Sequence, residues 1–164
     1  MPPERLGIEG IVGPPGIGPR PRLIAGGEEV PFSMSRSGDL LALSIAPFQT
    51  GVDVEAARPL AQAFLRGDCF SAGERAAIAS SLDPQEAGMR IWVRKEAVLK
   101  ATGFGLLYPL GELDVAADGP FVVGGRGWEV RDVDAGLESV FCSVAFPEGE
   151  GPVEAATIRA PLRP

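Results

Sequence analysis

Gly51-Val52-Asp53-Val54-Glu55 is the stretch of this 164-residue chain that most strongly constrains its fold. It predicts a buried strand, and the side chains of a strand alternate between its two faces. Asp53 and Glu55 are two residues apart, so their carboxylates share one face. A pair of neighbouring carboxylates is a candidate site, although a charged face that protects the edge of a sheet from association is a frequent alternative.

A second stretch, Trp92-Val93-Arg94-Lys95-Glu96-Ala97-Val98-Leu99-Lys100, predicts a helix. Trp92, Glu96 and Lys100 are four residues apart and therefore share one face of that helix. If this face meets the strand, three carboxylates and the lysines come together. Such a set suits Mg2+ that holds a polyphosphate, because the cation accepts carboxylates, water and phosphate oxygens. The alternative is a ladder of surface salt bridges, which adds little stability.

The order and separation of the two stretches resemble the paired signature of the 4'-phosphopantetheinyl transferases, specifically of the two-lobed surfactin type. Two other segments are similar to that family, Phe70-Ser71-Ala72-Gly73-Glu74-Arg75 and, upstream, Phe32-Ser33-Met34-Ser35-Arg36-Ser37-Gly38. The likeness runs from about Arg20 to Phe146. The family has a helix and basic residues before the region of Arg20, where this chain has a segment rich in glycine and proline, so we expect a shortened N-terminal lobe.

The resemblance implies both an activity and a fold. The activity is transfer of the 4'-phosphopantetheine arm of coenzyme A to a serine of an acyl or peptidyl carrier protein, as in polyketide or nonribosomal peptide biosynthesis. Adenosine bisphosphate is the leaving group, and Mg2+ is the implied cofactor. The implied fold is a pseudo-twofold α+β arrangement of antiparallel sheets with helices, in which the first lobe is incomplete here.

The resemblance also assigns roles to individual residues. Asp53 and Glu96 are the implied Mg2+ ligands, and Glu55 is a third ligand or holds a metal-bound water. Glu96 also accepts the proton of the carrier serine, while Lys100 contacts the phosphates and stabilises charge on the departing phosphate. Arg36 replaces a phosphate-binding histidine of the family; its guanidinium can still grip phosphate but cannot exchange protons. The implied coenzyme A-binding residues are Arg20, Ser35, Arg36, Lys95 and Lys100.

Two other interpretations of the same residues stay open. A catalytically weakened relative would retain binding of coenzyme A or of a carrier protein and act as an interaction module. Arg36 and the shortened lobe favour this interpretation. An unrelated α+β domain would carry the motifs by coincidence, and Asp53 would then lie far from Glu96. Because a shortened lobe would leave apolar strand surface uncovered, we also expect self-association or an assembly partner.

Composition excludes several classes of function. The chain has no histidine, which rules out serine–histidine and cysteine–histidine triads and leaves a carboxylate, a lysine or water as proton acceptor. Cys69 and Cys142 predict neither a disulfide framework nor a zinc site. The chain lacks an apolar run of about 20 residues and a secretory signal, so we expect a cytoplasmic location.

The formal net charge of −7 argues against nucleic acid binding and mildly opposes docking of an acidic carrier protein. Such docking would need a local apolar or basic patch. Arg58, Arg66 and Arg75 are candidates for a basic patch, although an ordinary solvated helix face is the simpler interpretation of these arginines.

Turn signals divide the chain into a leader (1–21), a transferase-like domain (22–146) and a C-terminal tail (147–164). Strands are predicted before and after a helical middle, and this order favours an α+β fold with mostly antiparallel sheets. Besides the strand that contains Asp53, the predicted strands are 22–24, 32–35, 40–46, 121–123, 128–133 and 140–146.

Three helices are predicted in the middle of the domain. The first is expected from Pro59 to about Leu65. A capping-box pattern beginning at Ser71 opens the second. Asp83, followed by a proline and a glutamate, opens the third, which is expected to end before Gly103 and so carries the second stretch in its body.

Overall fold

The structure is a computed structural model, and it describes residues 7–9, 22–151 and 156–159. The rest of the predicted leader and tail lies outside the described residues, as does the predicted coenzyme A contact Arg20. No helix in the described ranges has both the length and the apolar character that crossing a membrane requires.

Strands of the described residues form three antiparallel sheets, which confirms the predicted α+β class. The strands are β1 (Gly7–Glu9), β2 (Arg22–Ala25), β3 (Glu28–Val30), β4 (Phe32–Ser37), β5 (Leu40–Ile45), β6 (Gly51–Ala56), β7 (Phe121–Val123), β8 (Arg126–Asp132), β9 (Val140–Pro147) and β10 (Ala156–Arg159). Their orders in the sheets are β1-β2-β3, β10-β5-β4 and β6-β9-β8-β7. The sequence did not predict β1, β3 and β10, which are short and lack a clear alternation of apolar and polar residues.

The helices are α1 (Gln62–Leu65), α2 (Ala72–Ser80) and α3 (Pro84–Thr102). The predicted ends of the two longer helices are confirmed. Ser71 forms the capping box of α2, and the Asp83 side chain accepts two backbone hydrogen bonds at the start of α3. Gly103 ends α3 in the left-handed conformation, with φ at 77°, which a residue without Cβ adopts at little cost.

Helix α1 begins at Gln62 rather than at Pro59. The backbone of Leu60 explains the difference, because the side chain of Gln85 in α3 both donates to its carbonyl oxygen and accepts from its N–H. This pair of hydrogen bonds keeps the segment before α1 extended, as Ala61 shows with ψ at 139°.

Helix α3 packs against the third sheet, and the main core lies at this contact. Gly51 at the start of β6 sets how closely the two elements approach. A Cβ atom built on Gly51 would lie 2.0 Å from the carbonyl oxygen of Ala97 and 2.4 Å from the amide nitrogen of Ala101. Only glycine fits there, so β6 and α3 are held at backbone contact.

The two faces of β6 have different environments. Val52 and Val54 are fully buried in a cluster with Leu40 and Ala42 of β5. The alternate residues of β6 therefore face α3, on the same side as Gly51. This confirms that the first stretch is a buried strand with its acidic residues on one face.

Candidate functional site

The carboxylate of Asp53 lies at the centre of the candidate site. Its Oδ1 accepts hydrogen bonds from Lys100 Nζ at 2.7 Å and from Ser35 Oγ at 2.6 Å. These donors belong to α3 and β4, so three elements meet at one oxygen atom. The Asp53 side chain is only 6% exposed, which contradicts the alternative of a charged strand face open to water.

The second oxygen of Asp53, Oδ2, is buried, and no donor among the described residues reaches it. A buried charged oxygen without a partner is costly, because it has lost its water without gaining a hydrogen bond. Ser35 and Lys100 already hold the other oxygen. The Asp53 carboxylate therefore presents one satisfied and one open acceptor.

Glu96 is the second acidic group of the site. It lies on α3, and burial raises its pKa above the ordinary value; the negative charges of Asp53 and Glu55 add to this increase, whereas Lys100 opposes it. Trp92, Glu96 and Lys100 are all half-buried on a helix whose neighbouring positions are mostly buried. The structure thus confirms that these three residues share a face, and it places Glu96 where the charge of Asp53 influences its pKa.

Glu55 is the third predicted acidic residue, and its Oε2 accepts a 2.7 Å hydrogen bond from Ser37 Oγ. It contributes to the raised pKa of Glu96, so the three carboxylates are electrostatic neighbours. They do not converge, however. Within the described part of the chain, no three histidine, cysteine, aspartate or glutamate side chains are close enough together to hold a metal ion.

The residues present nevertheless fit a hard divalent cation. The open Oδ2 of Asp53 has no donor among the described residues, and burial, with a further effect of the Asp53 and Glu55 charges, raises the pKa of Glu96 and disfavours its ionised form. A cation would relieve both costs, and Mg2+ prefers carboxylate oxygens together with water.

The structure does not bring Lys95 to the other candidates, so the coenzyme A contact that the resemblance implied for Lys95 is wrong. Its Nζ is fully buried and forms a 2.7 Å ion pair with Glu74 Oε2. It also donates to the carbonyl oxygens of Leu110 and Leu113. Burial lowers the pKa of Lys95, and the hydrogen bond with Glu74 opposes that effect. All its donors are used inside the protein, because Lys95 faces α2 rather than β6.

Ser35 and Arg36, both predicted to contact coenzyme A, lie on opposite faces of β4 because strand residues alternate. The Ser35 hydroxyl is buried and donates to Asp53. Arg36 is exposed on the other face, and its Nε donates to the carbonyl oxygen of Gly38. The structure therefore brings Ser35 into the site as a partner of Asp53 and leaves Arg36 outside it.

Sequence reasoning missed the roles of Ser37 and Glu74. Ser37 holds Glu55, and the signal for it was the repeat of serines at every second position of β4. Glu74 is the buried partner of Lys95, and it also accepts from Val115 N–H. The capping-box pattern indicates a role of Glu74 at the start of α2, but it contains no signal for the buried ion pair with Lys95.

Two grooves of the described residues bear on this site, although only the smaller one is lined by a residue of the site. The larger has a volume of about 790 Å3 and is lined by Arg58, Met89 and Phe141 among others. The smaller, about 470 Å3, is lined by Lys100 together with Phe32 and Gln49. Lys100 thus connects Asp53 to a groove that a ligand can enter.

The fold and these groups define an α+β protein with an acidic site suited to a cation, next to a lysine that borders a groove. Residues 49–124 match the family model of the 4'-phosphopantetheinyl transferase superfamily. This segment contains Asp53, Glu96 and Lys100, so the residues of the site lie within the part of the chain that is similar to that superfamily.

Individual relatives agree with the family match. Over 100 residues the chain is 35% identical to the 4'-phosphopantetheinyl transferase AcpT of Escherichia coli (strain K12), covering 53% of this chain and 51% of the relative. Over 136 residues it is 29% identical to the AcpT of Salmonella typhimurium (strain LT2), covering 75% of this chain and 60% of the relative. The chain therefore spans about half the length of the curated relatives it matches.

Proposed function

We propose that this chain transfers the 4'-phosphopantetheine arm of coenzyme A to a serine of an acyl or peptidyl carrier protein. The observation that carries the proposal is the 2.7 Å contact of Lys100 with Asp53, with Glu96 under the electrostatic influence of both, in the segment that matches the transferase superfamily. The similar relatives are named as 4'-phosphopantetheinyl transferases. The surfactin type with a shortened first lobe, the cytoplasmic location and the role in polyketide or nonribosomal peptide biosynthesis are parts of this proposal.

The proposed reaction is an in-line phosphoryl transfer without a covalent enzyme intermediate. The carrier serine oxygen forms a bond to the phosphorus that bears the pantetheine arm, and the bond from that phosphorus to the oxygen of adenosine bisphosphate breaks. Glu96 takes the serine proton. Its raised pKa favours this role, because a general base works best when its pKa is near the working pH.

Lys100 binds and orients the phosphates in this proposal. Its side chain is 31% exposed, so the ammonium can contact a ligand in the groove while it stays 2.7 Å from Asp53 Oδ1. A fixed positive charge beside the leaving phosphate stabilises the negative charge that develops there. Positioning and charge neutralisation supply most of the rate of such transfers.

Asp53, Glu55 and Glu96 are the residues that we propose hold Mg2+, with Asp53 Oδ2 as the open ligand. When bound, the cation supplies charge neutralisation for the phosphates. Asp53 contributes a side chain held in a fixed orientation, which its two hydrogen bonds to Oδ1 enforce.

A second candidate is a catalytically weakened relative that binds coenzyme A or a carrier protein. Two observations favour it. Asp53, Glu55 and Glu96 do not converge in the described part of the chain, and Arg36 faces away from the site.

Transfer to an apo carrier protein from coenzyme A with a fluorescent pantetheine arm tests the proposal. We expect a fluorescent carrier with the wild-type chain and none with Asp53→Asn, while the exposed-residue variant Glu138→Gln transfers at the wild-type rate. Coenzyme A binding by calorimetry separates the two candidates. Binding without transfer by the wild-type chain supports the binding module, and equal transfer by Asp53→Asn contradicts the assigned site.

A further inference from the structure

Three serines on β4 face the site at every second position. Ser33 and Ser35 are buried and Ser37 is half-buried, whereas the intervening Met34 and Arg36 are exposed. The alternation places the three hydroxyl groups in one row along the strand.

The row joins two sheets that share no backbone ladder. β4 is the last strand of the order β10-β5-β4, and β6 is the first strand of the order β6-β9-β8-β7. Ser33 Oγ accepts from the N–H of Val52 at 3.1 Å, and Ser37 Oγ accepts from the N–H of Ala56 at 3.2 Å. Serine hydroxyls thus satisfy N–H groups that a sheet edge would otherwise leave open.

Two of the serines also hold the acidic residues of the site. Ser35 Oγ donates to Asp53 Oδ1 at 2.6 Å, and Ser37 Oγ donates to Glu55 Oε2 at 2.7 Å. Both distances are in the range of charge-assisted O–H···O bonds. A hydroxyl group has one proton. Neither serine can therefore donate to a substrate phosphate while it holds its carboxylate.

The bond from Ser35 determines which oxygen of Asp53 is open. Ser35 and Lys100 both donate to Oδ1, and the unpartnered atom is Oδ2. A carboxylate held by two donors on one oxygen cannot rotate without losing them. The orientation of Oδ2 therefore depends on β4.

We propose that Ser35 and Ser37 are positioning residues that orient Asp53 and Glu55 for a divalent cation, while Ser33 only ties the two sheets together. The proposal rests on the proposed function, since it takes these carboxylates as cation ligands. It assigns β4 a role in cation affinity, although the strand supplies no ligand itself. Groups that orient the ligands of a metal commonly change its affinity by 10- to 100-fold when removed.

Direct binding of Mn2+ to the chain, without coenzyme A or a carrier, tests the proposal. Mn2+ is a hard cation whose free form is measured by electron paramagnetic resonance. The variants are Ser33→Ala, Ser35→Ala and Ser37→Ala, with Asp53→Asn to identify the part of the signal that belongs to this site. Ser37→Thr tests rescue, because threonine keeps a hydroxyl group and is favoured in strands.

We expect Ser35→Ala and Ser37→Ala to bind Mn2+ about 10- to 100-fold more weakly than the wild type. Ser33→Ala, which loses only a backbone contact, should bind with wild-type affinity even where urea unfolding shows a loss of stability. Ser37→Thr should bind nearly as well as the wild type. If Ser35→Ala does not fold, the half-buried Ser37 still supplies the comparison.

Two results would overturn the inference while the proposed function stands. One is wild-type Mn2+ affinity in both Ser35→Ala and Ser37→Ala. The other is equal weakening in all three alanine variants, which would show that the row only joins the sheets. A third result would contradict the cation site of the proposed function. If Asp53→Asn binds as much Mn2+ as the wild-type chain, no cation is held by Asp53, and the positioning role fails with the site.

Discussion

Among single residues, one carboxylate oxygen and one raised pKa give the main support for the proposed cation site and general base. Asp53 Oδ2 is buried without a partner among the described residues, and Glu96 is a half-buried acid under the electrostatic influence of two other acids. Both features are unfavourable for the folded protein by itself. Groups that are poorly satisfied in the fold are candidates for binding and catalysis, because a ligand can supply what the protein does not.

The raised pKa of Glu96 predicts how Glu96→Gln changes stability with pH. Because the folded-state pKa is above the ordinary value of 4.5, the folded state binds the proton more tightly than the unfolded state. This contribution to stability is present below pH 4.5 and is lost as the pH rises through the raised pKa. In EDTA at pH 7, Glu96→Gln should therefore be more stable than the wild type, with a higher urea midpoint.

The stability difference between Glu96→Gln and the wild type should shrink as the pH falls below 4.5, where both side chains are neutral. The same variant should lose transfer by at least about 100-fold, since general bases contribute rate factors of that order. A variant that is less stable than the wild type at pH 7 would contradict the environment that we assign to Glu96.

At the scale of elements, α3 is fixed on two sides by different means. On one side Gly51 of β6 contacts its backbone, and on the other Lys95 forms a buried ion pair with Glu74 of α2. Lys100 and Glu96 reach the site because both contacts set the position of the helix. Stability and activity are therefore coupled through this helix.

Gly51→Ala should destabilise the protein by about 1–3 kcal/mol, the usual cost of inserting a methyl group into close-packed structure. The new Cβ would overlap the Ala97 carbonyl oxygen and push β6 away from α3, which should also weaken the contact from Lys100 to Asp53. Urea unfolding measures the first effect and carrier modification the second. Gly151→Ala, where nothing lies within 4 Å of the new atom, is the matched control and should be unchanged. Wild-type stability of Gly51→Ala would show that the two elements are not in backbone contact.

Lys95→Met should cost about 3–5 kcal/mol, because it leaves the Glu74 charge buried without its partner. The double variant with Glu74→Gln should recover part of that loss, since no unpaired charge remains. Urea unfolding of the two variants is the measurement. If Lys95 acted on phosphate instead, Lys95→Met would keep its stability and lose only transfer.

The sequence predicted the elements better than it predicted the contacts between them. Capping residues such as Ser71, Asp83 and Gly103 act locally, so helix ends could be located without the rest of the fold. The proximity of Asp53 and Glu96 followed from the resemblance to a family. The partner of Lys95 could not be predicted in this way. Adjacent residues on a helix point in different directions, and nothing in the local sequence indicates which neighbouring element each side chain contacts.

Contacts between sheets were the least predictable part of the site. The alternation of Ser33, Ser35 and Ser37 was present in the sequence. It indicated one face of a strand, but the strand that this face would meet belongs to another sheet. Arg36 was placed in the site by resemblance, whereas the same alternation turns it away.

At the scale of the whole molecule, the net charge of −7 affects how a partner approaches. Carrier proteins are generally acidic, so the overall electrostatic interaction with this chain is repulsive. Arg58 and Arg66 are exposed, but Arg75 donates to the carbonyl oxygens of Gly67 and Phe70 and is less available for docking. We therefore expect the repulsion to outweigh the candidate basic patch.

Salt should then lower the KM for an acidic carrier protein, because ions screen the repulsion between the two molecules over about 10 Å at 0.1 M. Steady-state transfer at increasing concentrations of sodium chloride measures the effect, with the KM for coenzyme A followed in parallel as a control for the active site. A KM for the carrier that rises with salt would show that a local basic patch, rather than net charge, governs the encounter.

We propose above all that this chain is a transferase whose acidic site works with a divalent cation. The most direct test is intact-protein mass spectrometry of an apo carrier protein incubated with the chain, coenzyme A and Mg2+, with and without EDTA. We expect the carrier to gain the mass of one phosphopantetheine and EDTA to prevent the gain. An unchanged carrier mass across several carriers, or a gain that EDTA does not affect, would contradict it.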